Sequence, residues 1–74
     1  TLFRSSIESL AAMTLPELRR ERDLAKVQAV QIAMKIPGTR GADRIEIEEA
    51  LVEAREYIDI IKRRIARLER SERN

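Results

Sequence analysis

Apolar residues recur through the second half of the chain at Ile47, Leu51, Ala54, Ile58, Ile61, Ile65 and Leu68, with spacings that alternate four and three. That alternation is an a/d heptad seam, with Leu51, Ile58 and Ile65 at a and Ile47, Ala54, Ile61 and Leu68 at d. It predicts a helix from about Arg44 to Arg70, roughly 40 Å long at ~1.5 Å per residue, and then a fraying tail, Ser71 to Asn74. Asp43-Arg44-Ile45-Glu46 reads as a capping box opening this helix, with Ala42 and Ile47 as its hydrophobic staple.

A second periodic segment precedes it. Thr14-Leu15-Pro16-Glu17 is a helix start: Thr14 caps, Glu17 stands three residues on, and Pro16 is tolerated in the first turn. Met13 and Leu18 take the staple positions. The helix should run from about Leu15 to Ile36, where Pro37-Gly38 stops it. One stripe reads Leu15, Leu18, Arg22, Ala25, Ala29, Ile32 and Ile36; another reads Leu24, Val27, Val30 or Gln31, and Met34. Residues 37–43 hold both glycines and form the turn, which lacks the spacing of a phosphate-cradling loop. Residues 1–13 contain Ser5-Ser6-Ile7-Glu8, a further capping box, and predict a short helical segment that persists only when docked.

The expected fold is all-α: an antiparallel, coiled-coil-like two-helix hairpin over 14–70, with residues 1–13 as a docking segment and 71–74 as a tail. A short turn places the helices side by side. Folding about it pairs Ala33 with Ile47, Ala29 with Leu51, Ala25 with Ala54, Leu18 with Ile61 and Leu15 with Ile65, so small residues meet along part of the seam. Leu68 then overhangs the first helix, where Ile7 and Leu10 are placed to cover it. Leu24, Val27 and Met34, with Ile45, Val52 and Ile60, lie off the seam and are the expected partner interface. The N-terminal segment offers only Leu2, Phe3, Ile7 and Leu10 to cover them, which predicts a four-helix dimer or docking into a larger assembly. A chain of 74 residues is one small domain, and below about 80 residues a single core seldom supplies more than a few kcal/mol.

Charge matters by position more than in total, which is only +2. Residues 43–59 carry seven acids against Arg44 and Arg55, a net of −5, and residues 62–73 carry six bases against Glu69 and Glu72, a net of +4. Acid at the start and base at the end complement a helix dipole, but not at this density. In the hairpin, Arg19, Arg20, Arg22 and Lys26 come beside Lys62, Arg63, Arg64, Arg67 and Arg70, so the open end is basic and the turn end acidic.

Composition removes most catalytic chemistry. Neither His nor Cys is present, which withdraws the usual general base, the commonest metal ligand, thiolate sites and disulfides. Glu46, Glu49 and Glu53 share one helical side, but a carboxylate metal site in a bundle adds a Glu-x-x-His pair that this chain lacks, so they read as a solvated face. The expectation is a non-enzyme with no metal or other cofactor. Phe3 and Tyr57 are the only aromatics, so base-stacking platforms are nearly absent. No apolar run approaches the ~20 residues of a membrane span, and no signal-peptide pattern follows Arg4. A soluble cytoplasmic or other intracellular protein without membrane partners is expected. Thr1 is compatible with removal of an initiator Met, which suggests a nearly complete natural product. Arg63, Arg64, Arg67 and Arg70 are candidates for contact with RNA or DNA phosphate, without sequence reading. The competing use of those arginines is pairing with the acidic end of a second copy.

Leu10-Ala11-Ala12-Met13-Thr14-Leu15-Pro16-Glu17-Leu18 resembles the opening of the ribosomal large-subunit protein twenty-nine family. There a Leu, then Met-Ser or Met-Thr, then Glu-Leu begins the first of two antiparallel helices. The distance from Met13 to Gly38 is similar, and Ala54-Arg55 through Ile58, Ile61 and Lys62 resembles that family's second helix. The resemblance implies a non-catalytic protein bound to ribosomal RNA near the peptide exit tunnel. The chain departs from the pattern at Gln28-Ala29-Val30-Gln31, where the family has an aromatic-Asn-Leu-Arg stretch, and its second helix is longer and more acidic. The chain also resembles phage head–tail joining proteins of the W type, two-helix proteins with a β-hairpin that Met34-Lys35-Ile36 and Ile45-Glu46-Ile47 would have to supply. The capping box at Asp43 opposes that arrangement. The main expectation is a helical-hairpin interaction or assembly subunit that forms homo-oligomers or joins a larger complex.

Overall fold

A computed structural model describes residues 8–73 as two long antiparallel helices in a rod of 50 × 19 × 14 Å. Helix α1 spans Leu15–Lys35 and helix α2 spans Ala42–Arg73, joined through a 3-10 turn at Ile36–Gly38. Ahead of α1, residues 8–10 are helical and a turn follows, closed by the Ala12 and Met13 N–H groups donating to the Ser9 and Leu10 carbonyls at 3.1 and 3.2 Å. The expected contributions of Leu2, Phe3, Ile7 and the Ser5-Ser6-Ile7-Glu8 box lie outside the described residues.

Helix α1 begins where its sequence signal stands. Thr14 is extended at φ −76°, ψ 167°, and the Glu17 carboxylate accepts from the Thr14 N–H at 3.3 Å and from the Thr14 hydroxyl at 2.8 Å. These bonds hold a donor that the helix itself cannot satisfy. At the other end, the Thr39 hydroxyl donates to the Lys35 carbonyl at 2.6 Å and the Thr39 N–H to the Ile36 carbonyl at 3.1 Å. Terminal carbonyls of α1 are thereby occupied as Pro37 ends the helix.

The start of α2 differs from expectation. Gly41 adopts φ +67°, the left-handed region that favours glycine, and the Ile45 N–H already donates to its carbonyl at 3.3 Å. The helix therefore starts at Ala42, and Asp43 stands inside the first turn rather than capping it. Its carboxylate meets the partial positive charge of the helix N-terminus instead of closing a box. The expected tail also belongs to α2, because residues 71–73 continue the helix. The β-hairpin of the W-type resemblance does not form: Met34 and Lys35 are in α1, Ile36 is in the 3-10 turn and Ile45-Glu46-Ile47 are in α2, with no strand among the described residues.

The a/d seam is the core. Leu51, Ala54, Ile58, Ile61 and Ile65 are buried, while Ile47 and Leu68 at its two ends are half-buried. Leu15, Leu18 and Ala25 meet them from α1, and Leu10 joins the same buried cluster, against which Leu68 packs. Buried Ala25 and Ala54 carry no side chain beyond Cβ, which lets two helix axes approach closely. Tyr57 is not at a or d, yet it is among the most buried large side chains, because its hydroxyl donates to Glu21 Oε1 across the helix pair at 2.8 Å. A buried tyrosine needs such a partner for its polar tip.

The core is lopsided. No residue from 26 to 50 is buried, and Ile32, Ile36 and Ile47 are only half-covered. Tight packing is confined to the open half of the hairpin.

This packing predicts how substitutions divide. Ile58→Asp or Ile61→Asp should abolish folding, since each places a carboxylate where the seam is closed to water. Tyr57→Phe should keep the fold and cost about 1 to 2 kcal/mol through the lost bond to Glu21. Thermal melts followed by circular dichroism separate these outcomes, and an unchanged melt for the Asp variants would refute the helix phase. A further outcome concerns acid. The Thr14 hydroxyl, then the Thr14 N–H, with Arg20 adding to them, hold Glu17 below its ordinary carboxylate range despite a small opposing desolvation. A lowered folded-state value means that the stabilisation is present at neutral pH and is lost as pH falls through the Glu17 titration. A carboxyl titration followed by NMR should place Glu17 below the ordinary value of a glutamate side chain, and Thr14→Ala should raise it.

Candidate interaction surface

The hairpin buries one stripe of each helix and leaves others in water. Leu24, Val27, Val30, Met34, Ile45 and Val52 are each more than half exposed, Met34 reaching 74%. Five of the six residues expected at a partner interface are among them. Ile60 is not: it is half-buried and packs against the core cluster, because the N-terminal segment with Leu10 covers that side of α2.

The exposed residues do not make one face. At about 100° per residue, Leu24, Val27, Val30 and Met34 lie on the side of α1 turned away from Leu18 and Ala25. Ile45 and Val52 lie on the side of α2 turned away from Ile58 and Ile61. They form two stripes on opposite sides of the rod, meeting only around the turn. Off-seam hydrophobicity is legible in sequence; which side of the hairpin each stripe occupies depends on how the helices meet.

The outer side of α2 changes character along its length. Near the turn, Ile45 and Val52 floor a shallow groove of about 400 Å³ rimmed by Glu48, Glu49, Glu53 and Glu56. Near the open end, Arg63, Arg67 and Arg70 rim a second groove of about 440 Å³, with Ala66 and Ser71 between them. Arg63, Arg67 and Arg70 are exposed, and among the described residues none of them forms an ion pair. Arg64, expected with them as a phosphate contact, is used otherwise. Its guanidinium donates to the Ala11 carbonyl at 3.1 Å and its Nε is shielded from solvent, so it ties the N-terminal segment to α2.

The ion pairs that do form are peripheral. Arg19 meets Glu69 across the helices at 3.5 Å, Arg22 meets its neighbour Asp23 at 3.3 Å, and Arg44 meets Glu48 one turn on at 3.1 Å. Exposed pairs of this kind contribute about 0 to 1 kcal/mol each, so the hairpin does not depend on them. Glu46, Glu49 and Glu53 share a side of α2, but among the described residues no group of three acids converges as a metal site would require. No helix of the described residues is long and apolar enough to cross a membrane. No protein-family model matches the chain, and no curated protein or solved structure matches it either.

Proposed function

We propose that the chain is a non-enzymatic assembly subunit, a helical hairpin that binds a second copy of itself or a larger complex through the off-seam apolar stripes it leaves exposed. The observation that carries this reading is the half-empty core. Six large apolar side chains between Leu24 and Val52 stay more than half exposed, in a stretch where nothing from 26 to 50 is buried. Scattered surface hydrophobics need no explanation, but two apolar stripes, one on the outer side of each helix, support a reading as contact surfaces. A virion-assembly role, as in the phage joining proteins, is one form of the same reading.

A second reading has its own observation. The exposed arginines Arg63, Arg67 and Arg70 lie side by side with no acidic partner among the described residues, and such an array suits the backbone phosphates of RNA. That is the use implied by the ribosomal resemblance. Changing the three to Gln then flattens the salt slope of RNA binding by about 0.7 to 0.9 for each phosphate no longer neutralised.

Assembly predicts concentration-dependent sedimentation of the isolated chain in the micromolar range. Val27→Glu combined with Val52→Glu, one on each outer stripe, should abolish that association while leaving helicity intact, since both sites are exposed. Sedimentation velocity with parallel circular dichroism checks it. A monomer of unchanged sedimentation at every concentration, with salt-dependent retention on RNA, would replace this reading with the second one.

A further inference from the structure

On the outer side of α2, Glu49, Glu56, Arg63 and Arg70 recur every seven residues. A seven-residue step on a helix drifts by only about 20°, so the four form one line, opposite the buried Ile58 and Ile61. Ile45, Val52 and Ala66 are interleaved with them. The line is acidic in its first half and basic in its second, and all four charges are exposed and without an ion pair among the described residues.

Two features show that the hairpin alone does not account for this line. Dipole complementarity is confined to the first and last turns of a helix, whereas Glu56 and Arg63 stand more than two turns from either end of Ala42–Arg73. Along the helix itself, Glu49 faces Glu46 and Glu53, and Arg70 faces Arg67. Like charges three or four residues apart destabilise a helix by about 0.2 to 0.5 kcal/mol per pair. The isolated chain bears that cost with no compensating contact.

An antiparallel second copy of the same line is complementary to it. We infer that two copies of this chain pair through the outer sides of their α2 helices, antiparallel and two-fold symmetric, with Glu49 facing Arg70 and Glu56 facing Arg63 of the second copy. This rests on the assembly reading above and specifies its partner and register. An isologous contact repeats each pair, so two pairings give four ion pairs. Val52 falls opposite Arg67 of the second copy, whose aliphatic stem covers it while the guanidinium stays in water. Asp59 lies within one residue of the two-fold axis, close to its own twin, a repulsion moderated by Arg63 on the next turn. A parallel pair is disfavoured, because it sets Glu49 and Glu56 against themselves and Arg63 and Arg70 likewise. The α1 stripe remains free for other contacts.

The test is a charge swap in the full chain, with circular dichroism confirming that each variant folds. Glu49→Arg with Glu56→Arg, and separately Arg63→Glu with Arg70→Glu, should each weaken self-association at least about tenfold at low salt. Mixing the two variants should restore a dimer, since every pair across that heterodimer is again opposite in sign. The chain has no Cys, so single thiols report the register. Asp59→Cys should oxidise to a dimer, while Val52→Cys should not, its twin standing about 22 Å away at ~1.5 Å per residue. A dimer indifferent to both swaps, or one that cross-links equally through both thiols, overturns this register and leaves the assembly reading standing. A wild type monomeric at every concentration overturns both, and loss of RNA retention in the Arg63→Glu, Arg70→Glu variant would then assign the arginines to phosphate.

Discussion

Two helices lying side by side can bury only one stripe each, and every other property of this chain follows from that constraint. The stripe on α2 is the heptad seam through Leu51, Ala54, Ile58, Ile61 and Ile65; the stripe on α1 is Leu15, Leu18 and Ala25. Where these are large on α2 and meet Leu15 and Leu18, with Leu10 closing the end, water is excluded. Toward the turn α1 offers Ala29 and Ala33, and beyond buried Leu51 the α2 residues Ile47 and Ala50 are only half-covered. A third layer would be needed to close that half, and the described residues do not supply one.

Polar groups reinforce the same division. Tyr57 and Glu21 bond across the helices in the closed half, and Arg64 fastens the N-terminal segment there through the Ala11 carbonyl. These bonds fix the relative height of three pieces of chain, which apolar packing alone does loosely. Among the described residues, no polar bond between α1 and α2 lies in the turn half. On α2 in that half, Glu48, Glu49 and Glu53 rim the groove over Ile45 and Val52, away from the buried seam. The core seam and the exposed charge line thus occupy different sides of one helix.

Periodicity by itself determined the architecture. An unbroken a/d seam, a start signal at Thr14-Leu15-Pro16-Glu17 and a Pro-Gly stop state the number of helices, their direction and most of the core, because burial on a helix follows spacing directly. The surplus of off-seam apolar residues and the separation of acid from base were equally legible. Tertiary structure decided what spacing cannot encode. The conformation of Gly41 moved the start of α2 ahead of Asp43, since a positive φ is a backbone choice rather than a pattern. Tyr57 joined the core because Glu21 came within reach from the other helix. Ile60 and Arg64 turned inward because the N-terminal segment lies on their side of α2, while Val52 and Arg63 remained outside. A side chain's position on its own helix is a local property, but whether that position meets protein or water is settled only by what packs beside it.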